Sequence, residues 1–381
     1  MTLTGNWTYP TSIRIGAGRI AELPDLVKAA GIKRPLFVTD SGLAGAAMTQ
    51  DAFASLNTAA LFSGIKPNPT GANIGDGAAA FRAGGHDGVV AFGGGSALDA
   101  GKAIAFAAGQ TRPLWDFEDI GDWWTRADAS AIAPVIAVPT TAGTGSEVGR
   151  ASVITHEESQ TKKVIFHPRM MPVVALCDPA LTAGMPPWLT AGTGMDALAH
   201  CLEALCGTAW HPLADGIALE GMRLVKDNLP RAFAQGDDLE ARAQMMAAAA
   251  MGAAAFQKAL GAIHALSHPV GVLHNTHHGM TNAVFMPYVL MFNRSAVEEK
   301  LARVAAYLGL KRTFTSFLDW VLELRARLGV PHTLAAFGVD ARHAERIAEM
   351  APHDPTAGGN PVPLDAAGAR RIFDAAMEGR L

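Results

Sequence analysis

Little cysteine, little charge and no long apolar run set the first limits on this chain. Its three cysteines, Cys177, Cys201 and Cys206, are odd in number and sit in apolar segments. That fits reduced thiols in a core rather than a disulfide framework. Charged residues make up 17% of the sequence, 31 Lys and Arg against 35 Asp and Glu, and they form no basic cluster. Neither a nucleic acid nor a membrane surface held by charge is therefore expected as a partner. The longest apolar run, Met245 to Phe256, is mostly Ala and Met and too short to cross a bilayer. The first ten residues lack the basic and apolar stretches of an export signal, so a cytoplasmic protein is expected. No internal repeat or low-complexity tail is present.

With 381 residues, 49% of them hydrophobic, the chain exceeds one compact core, and two domains are expected. The first half alternates β-rich runs with Ala-rich helical stretches, which predicts a mostly parallel sheet flanked by helices. Strands are expected at 35–40, 88–92, 134–139 and 173–177. From Pro186 onward strand patterns nearly vanish, and helices are expected over 195–206, 213–229, 239–256, 258–268, 295–308 and 314–328. The division is an α/β domain over 1–182 and an all-helical domain over 183–381.

Three short segments of the first half have chemical use. Gly93-Gly94-Gly95-Ser96 follows an apolar strand and opens a helix, where glycines let backbone N–H groups approach a pyrophosphate and the helix dipole favours it. It is neither the G-x-G-x-x-G fingerprint nor a Walker A loop. Asp40 lies at the carboxyl end of the strand 35–40, where ligands of open α/β sheets bind. A carboxylate there accepts ribose hydroxyls and repels a 2′-phosphate, favouring NAD over NADP; the residue also reads as a turn former before Ser41-Gly42. The loop Pro139-Thr140-Thr141-Ala142-Gly143-Thr144-Gly145-Ser146-Glu147 offers three threonine hydroxyls and little bulk to line a nicotinamide and its ribose.

In the second half, Asp196 and His200 stand four residues apart on a predicted helix, one turn apart on one face, where two donors reach one ion. His264, His268, His274, His277 and His278 then crowd a short stretch. Imidazoles with one carboxylate suit Fe²⁺ or Zn²⁺ rather than Mg²⁺ or Ca²⁺. Spacing leaves open whether His264 or His268 is a ligand, and which of the later three joins it. The surplus imidazoles are available for proton transfer.

Four segments taken together, Gly93 to Lys102, Pro139 to Val148, Gly194 to Glu203 and His264 through His278 to Ala283, closely resemble the iron-containing, group III alcohol dehydrogenase family. The likeness extends to Gly358-Gly359-Asn360-Pro361. It implies a dehydroquinate synthase-like architecture: an N-terminal dinucleotide-binding domain, an all-α metal-binding domain and an active site in the cleft between them. It assigns the metal to Asp196, His200, His264 and His278, and cofactor contacts to Asp40, Asn68, Gly94, Gly95, Ser96, Thr140, Thr141, Thr144 and Lys162. The usual cation is Fe²⁺, with Zn²⁺ in some members, and a homodimer or higher homo-oligomer is expected.

The implied reaction is metal-assisted hydride transfer between a short primary alcohol and NAD, giving an aldehyde. His268 and His274, left over as ligands, are the expected proton relays. Ala97 and Gly101 depart from the family pattern and are expected to loosen the phosphate turn. Arg150, with Phe256-Gln257-Lys258, resembles the 4-hydroxybutyrate dehydrogenase branch. Arg150 and Lys258 are expected either to hold a distal substrate carboxylate or to point to solvent or pair with Glu147 or Asp99. Two alternatives share the architecture. A lyase of the dehydroquinate synthase kind requires more basic residues than are present, and a maleylacetate-type reductase lacks the full metal quartet.

Overall fold

The computed structural model describes residues 11–381; the stretch read above for an export signal lies outside them. The chain divides into two compact units. One holds the described residues up to Thr141 together with Gly145–Gly184, and the other holds Ala142–Thr144 with Met185–Leu381.

The first unit is built on six parallel strands, β1 (Ser12–Ile15), β2 (Pro35–Asp40), β3 (Ala60–Ile65), β4 (Gly88–Gly93), β5 (Val135–Pro139) and β8 (Val174–Cys177), in the order β1-β8-β5-β4-β2-β3. A separate antiparallel ribbon pairs β6 (Ala151–His156) with β7 (Thr161–Phe166). Helices α1 (Leu23–Ala29), α2 (Ala47–Ala54), α3 (Gly71–Ala83) and α4 (Gly95–Ala107) connect the strands. Successive side chains of β2 and β4 serve two cores. Leu36, Val38, Val89 and Ala91 pack with Ile74, Ala78, Leu98 and Ile104 of α3 and α4. Phe37, Val90 and Phe92 pack with Leu23, Val27 and Ala52 of α1 and α2. Both faces are covered, so these strands read as continuous apolar runs rather than alternating ones. The strands β1 and β3 escaped the sequence reading because they lie at the sheet edges: all four residues of β1 are exposed, and β3 is exposed or half-exposed except at Ile65.

The second unit is helical: α5 (Pro187–Cys206), α6 (Pro212–Ala234), α7 (Leu239–Ala255), α8 (Ala262–His274), α9 (His278–Tyr307), α10 (Phe314–Arg327), α11 (Ala344–Met350) and α12 (Ala366–Glu378). Helix α5 packs against α6, α7 and α9, and α8 packs against α9. Apart from Thr193, every residue of α5 from Thr190 to Cys206 is buried, which is why it lacks a polar face. Two expectations need correction. The helix expected over 258–268 begins only at Ala262, after an extended Gly261, and runs through Pro269 to His274. The helix expected over 295–308 begins at His278 and runs through Pro287; its first half is buried all round, which erases the helical period that betrays a half-exposed helix.

Gly101 is also corrected. It lies inside α4, not in a loosened turn, and a Cβ added there would stand 2.5 Å from the Ala91 Cβ. The bare glycine lets α4 lie close on β4. Gly101→Ala is therefore expected to lower stability by about 1–3 kcal/mol despite alanine's better helix propensity, because overpacking outweighs it. Calorimetry should record a fall in Tm of about 2–4 °C per kcal/mol. An unchanged or higher Tm would contradict the close approach.

Candidate metal centre and cofactor edge

Helix α5 presents Asp196 and His200 one turn apart, α8 contributes His264 from its first turn, and α9 contributes His278 as its first residue. The approach of α9 depends on Gly279. A Cβ there would meet the Gly192 carbonyl oxygen at 2.2 Å and the Asp196 Cβ at 3.1 Å. The three Nε2 atoms stand 3.8 Å (His200), 3.6 Å (His264) and 3.6 Å (His278) from the same Asp196 Oδ1. A tetrahedral centre with bonds near 2.1 Å separates its ligand atoms by about 3.4 Å, close to these three distances, and the donor atoms of Asp196, His200 and His264 all lie within 4.8 Å of one another.

Asn282, one turn beyond His278, tests whether a cation fits. Its Nδ2 lies 2.8 Å from Asp196 Oδ1, 3.1 Å from His264 Nε2 and 3.2 Å from His278 Nε2. One amide group with two hydrogens faces three converging acceptors, an arrangement a divalent cation satisfies more fully. The residues present fit a transition metal.

Charge follows the same geometry. Burial opposes the ionised form of Asp196, but the neighbouring His200 and His278 and the bond from His264 hold its carboxyl far below the usual range. Burial pushes His200 down to about 4 against the pull of Asp196, which leaves a neutral imidazole. His264 is the reverse: burial would lower it, but Glu203 and Asp196 push it up to about 9. The side chains of Asp196, His200 and His264 are 2–4% exposed, whereas His278 is 27% exposed, so the site opens on the His278 side.

The other histidines separate by role. His268 stacks on His278 with centroids 5.4 Å apart, and its Nδ1 lies 2.8 Å from Asp354 Oδ2. Asp354 is fixed in turn by the Thr356 hydroxyl at 2.6 Å and backbone N–H at 2.9 Å. His277 caps α9, its Nδ1 accepting the Met280 N–H, with its ring against Trp188. His274 does not meet the expectation of a relay. It ends α8 beside His343, ten residues and so about 15 Å along the axis from His264. Lys258 donates to Asp215 Oδ1 at 2.6 Å and to the Leu205 carbonyl at 3.2 Å. Its charge is thus met by Asp215, which corrects the expectation that it binds a substrate carboxylate.

In the α/β unit the expected cofactor residues gather at the carboxyl ends of adjacent strands. Val38 of β2 pairs with Ala91 of β4, and Gly93 of β4 pairs with Pro139 of β5, so Asp40, the glycine turn and Thr140 share one edge. Asp40 Oδ1 accepts the N–H groups of Gly42 and Leu43, so the residue does form the turn, while its Oδ2 would stand 3.5 Å from a Cβ added at Gly93. Gly94 caps α4 without a side-chain acceptor, and Thr141 lies against it. The Ser96 hydroxyl donates to the Pro67 carbonyl beside Asn68. Lys162 pairs in register with Thr155, whose N–H donates to the Pro69 carbonyl on the other side of Asn68. Thr144 groups with the helical unit. The loop carrying Arg150 is pinned by Lys102, a buried cation that donates to the carbonyls of Ser146, Gly149 and Ala151 and pairs with Asp99 at 3.2 Å. The Arg150 guanidinium lies over the Phe166 ring at 5.3 Å.

Three residues that sequence reasoning missed complete the centre: Glu203, Asn282 and Asp354. Glu203 stands seven residues after Asp196 on the same face of α5, and Asn282 four after His278, so helical spacing was available to find both. Asp354 is 86 residues from His268 and has no local mark.

Both parts of the chain match models of known families. Residues 10–179 match the model of the family described as iron-containing alcohol dehydrogenase, and residues 190–377 match that of the Fe-containing alcohol dehydrogenase family, C-terminal. The chain is 40% identical to a 4-hydroxybutyrate dehydrogenase of Cupriavidus necator, over 97% of this chain and 99% of that one. It superposes on a 1,3-propanediol oxidoreductase with a TM-score of 0.92 at 34% identity, over 98% of this chain and 100% of that one. A sulfoacetaldehyde reductase from Bifidobacterium kashiwanohense, solved in complex with NAD⁺, gives a TM-score of 0.88 at 28% identity and 98% coverage of both chains.

His200→Ala and His278→Ala are each expected to weaken metal binding roughly 100-fold or more and to abolish activity, with helical circular dichroism retained. His268→Ala is expected to keep the metal. Metal content after dialysis decides: metal retained with full activity in either ligand variant, or metal lost from His268→Ala, would contradict the assignment.

Proposed function

Because the chain belongs to the iron-containing alcohol dehydrogenase family, whose reaction is hydride transfer between an alcohol and NAD, we propose that its alcohol is a short ω-hydroxy acid such as 4-hydroxybutyrate. The observation that carries this reading is the 40% identity to 4-hydroxybutyrate dehydrogenase over almost the whole of both chains. Arg150, held on its loop by Lys102, is the cation proposed to meet the distal carboxylate.

Asp196, His200, His264 and His278 would hold iron, or zinc in its place, which would supply Lewis-acid chemistry at the alcohol, and bound NAD would supply the hydride acceptor. The protein's residues do the rest. Asp196 with three neutral imidazoles, the His264 proton displaced, would give the site a single negative charge to set against a divalent ion. His268, oriented through Nδ1 by Asp354, exchanges the alcohol proton at Nε2. The amides of Gly94, Gly95 and Ser96 at the head of α4 receive the pyrophosphate, Asp40 the adenosine ribose, and Asn68 and Lys162 the polar groups beside it. Thr140, Thr141 and Thr144 line the nicotinamide half.

Three buried free thiols, Cys177, Cys201 and Cys206, support a reducing compartment, the cytoplasm. Among the described residues no helix is long and apolar enough to cross a membrane. A homodimer or larger assembly is proposed as well, supported by the exposed edge strand β1 with Ile13 and Ile15 on its surface.

The substrate reading is tested by kcat/KM for 4-hydroxybutyrate against 1-butanol, of equal length and uncharged. A charge-assisted contact contributes about 1.5–3 kcal/mol, so the acid is expected to be favoured by roughly tenfold to a hundredfold, and Arg150→Ala to remove the preference. Equal kcat/KM values, or a preference that survives Arg150→Ala, would return the enzyme to uncharged primary alcohols.

A further inference from the structure

Asp196, His200 and Glu203 occupy positions i, i+4 and i+7 of α5, one stripe along one face. The first two turn toward the converging lone pairs. Glu203, buried at 6% exposure, reaches the far side of His264 instead: its Oε2 lies 2.5 Å from His264 Nδ1, and its Oε1 accepts the Ile263 N–H at 2.6 Å. The same side chain thus grips both the backbone and the ring at the start of α8.

That start needs outside help. The N-cap of α8 is Gly261, which has no side chain to offer the first amides. Two distant acceptors take the role. Asn360 Oδ1 accepts the Ala262 N–H at 3.1 Å and is itself held by Asn293, while Glu203 serves the next amide. A carboxylate is also well placed against the positive end of the helix dipole.

Glu203 differs from Asn360 in touching the ring. A carboxylate has no hydrogen to give, so the bond to His264 requires the proton on Nδ1. When the ring is neutral, as a metal ligand must be, the lone pair is then on Nε2, the atom that stands 3.6 Å from Asp196 Oδ1. We propose that Glu203 is a positioning residue of the metal centre, fixing the Nδ1–H tautomer and the ring orientation of His264 so that Nε2 is presented to the ion. The proposal rests on reading the Asp196, His200, His264 and His278 quartet as a metal site.

Glu203→Gln keeps the size of the side chain but has an oxygen at only one of the two positions that now meet Ile263 and His264; if its amide donates to Nδ1, the proton moves to Nε2 and the ligand is lost. Asn360→Ala removes the other acceptor of α8 without touching the ring. Zn²⁺ and, without oxygen, Fe²⁺ affinities are measured by competition with a chromophoric chelator, alongside the Tm of the metal-free protein. Glu203→Gln is expected to bind about 10–100-fold more weakly than wild type, and Asn360→Ala to lower Tm while keeping affinity within about twofold. Equal affinity in Glu203→Gln, or equal losses in the two variants, would reduce Glu203 to a helix cap and overturn the proposal. Should Glu203→Gln fail to fold, ¹⁵N-histidine spectra of the zinc-loaded wild type decide: a proton on Nδ1 of His264 supports the proposal, and a bare Nδ1 overturns it. If the wild type binds neither ion, the metal reading itself fails, an outcome distinct from wild type and variant binding alike.

Discussion

Gathering one carboxylate and three imidazoles inside a helical bundle is unfavourable unless something takes up their lone pairs, since each buried polar group left unmet costs roughly 1–3 kcal/mol and a buried charge more. The three Nε2 atoms lie 3.6–3.8 Å from one carboxylate oxygen, so ring protons or a cation must meet its charge. The Asn282 amide offers two hydrogens to three of these acceptors. A divalent ion satisfies them together, and the helical unit is arranged around that requirement: α5 is buried almost throughout, α9 is brought against it at Gly279, and α8 enters with His264 in its first turn.

A ring of carboxylates and amides holds those helices at the right angle to the site. Glu203 and Asn360 hold the start of α8, Asp354 holds His268, and the Asn282 amide reaches Asp196, His264 and His278 on three helices. Orientation is what these contacts supply, because an imidazole can rotate or change tautomer while staying in place, and only one of its states offers Nε2. In the α/β unit the corresponding constraint is the parallel register. It carries Asp40, the glycine turn and Thr140 to one edge, while Lys102, buried under three carbonyls, fixes the loop that follows.

Much of this was legible in the sequence where the physics is local. Asp196 and His200 announce themselves by helical spacing, the glycine turn by its place after an apolar strand, and β2, β4, β5 and β8 by uninterrupted apolar runs. What was lost was encoded at long range or hidden by complete burial. The first half of α9 has no polar face to give it a period, and Pro287 disguises it further. The partner of Lys258 is Asp215, 43 residues away, so nothing near Lys258 marks it as paired rather than poised for substrate. His274 looks equivalent to His268 in a list of histidines, yet the α8 axis carries it to the opposite end, beside His343. Gly101 looks like a loosened turn until the distance to Ala91 shows what an added methyl would strike.

The central claim is that Asp196, His200, His264 and His278 form one transition-metal centre. X-ray absorption on wild-type protein purified without oxygen, combined with elemental analysis, addresses it most directly. The account predicts close to one iron or zinc ion per chain, a first shell of nitrogen and oxygen near 2.0–2.2 Å, and the outer scattering of about three imidazoles. Full activity in metal-free protein, or a shell containing sulfur from Cys201 or Cys206, would contradict it.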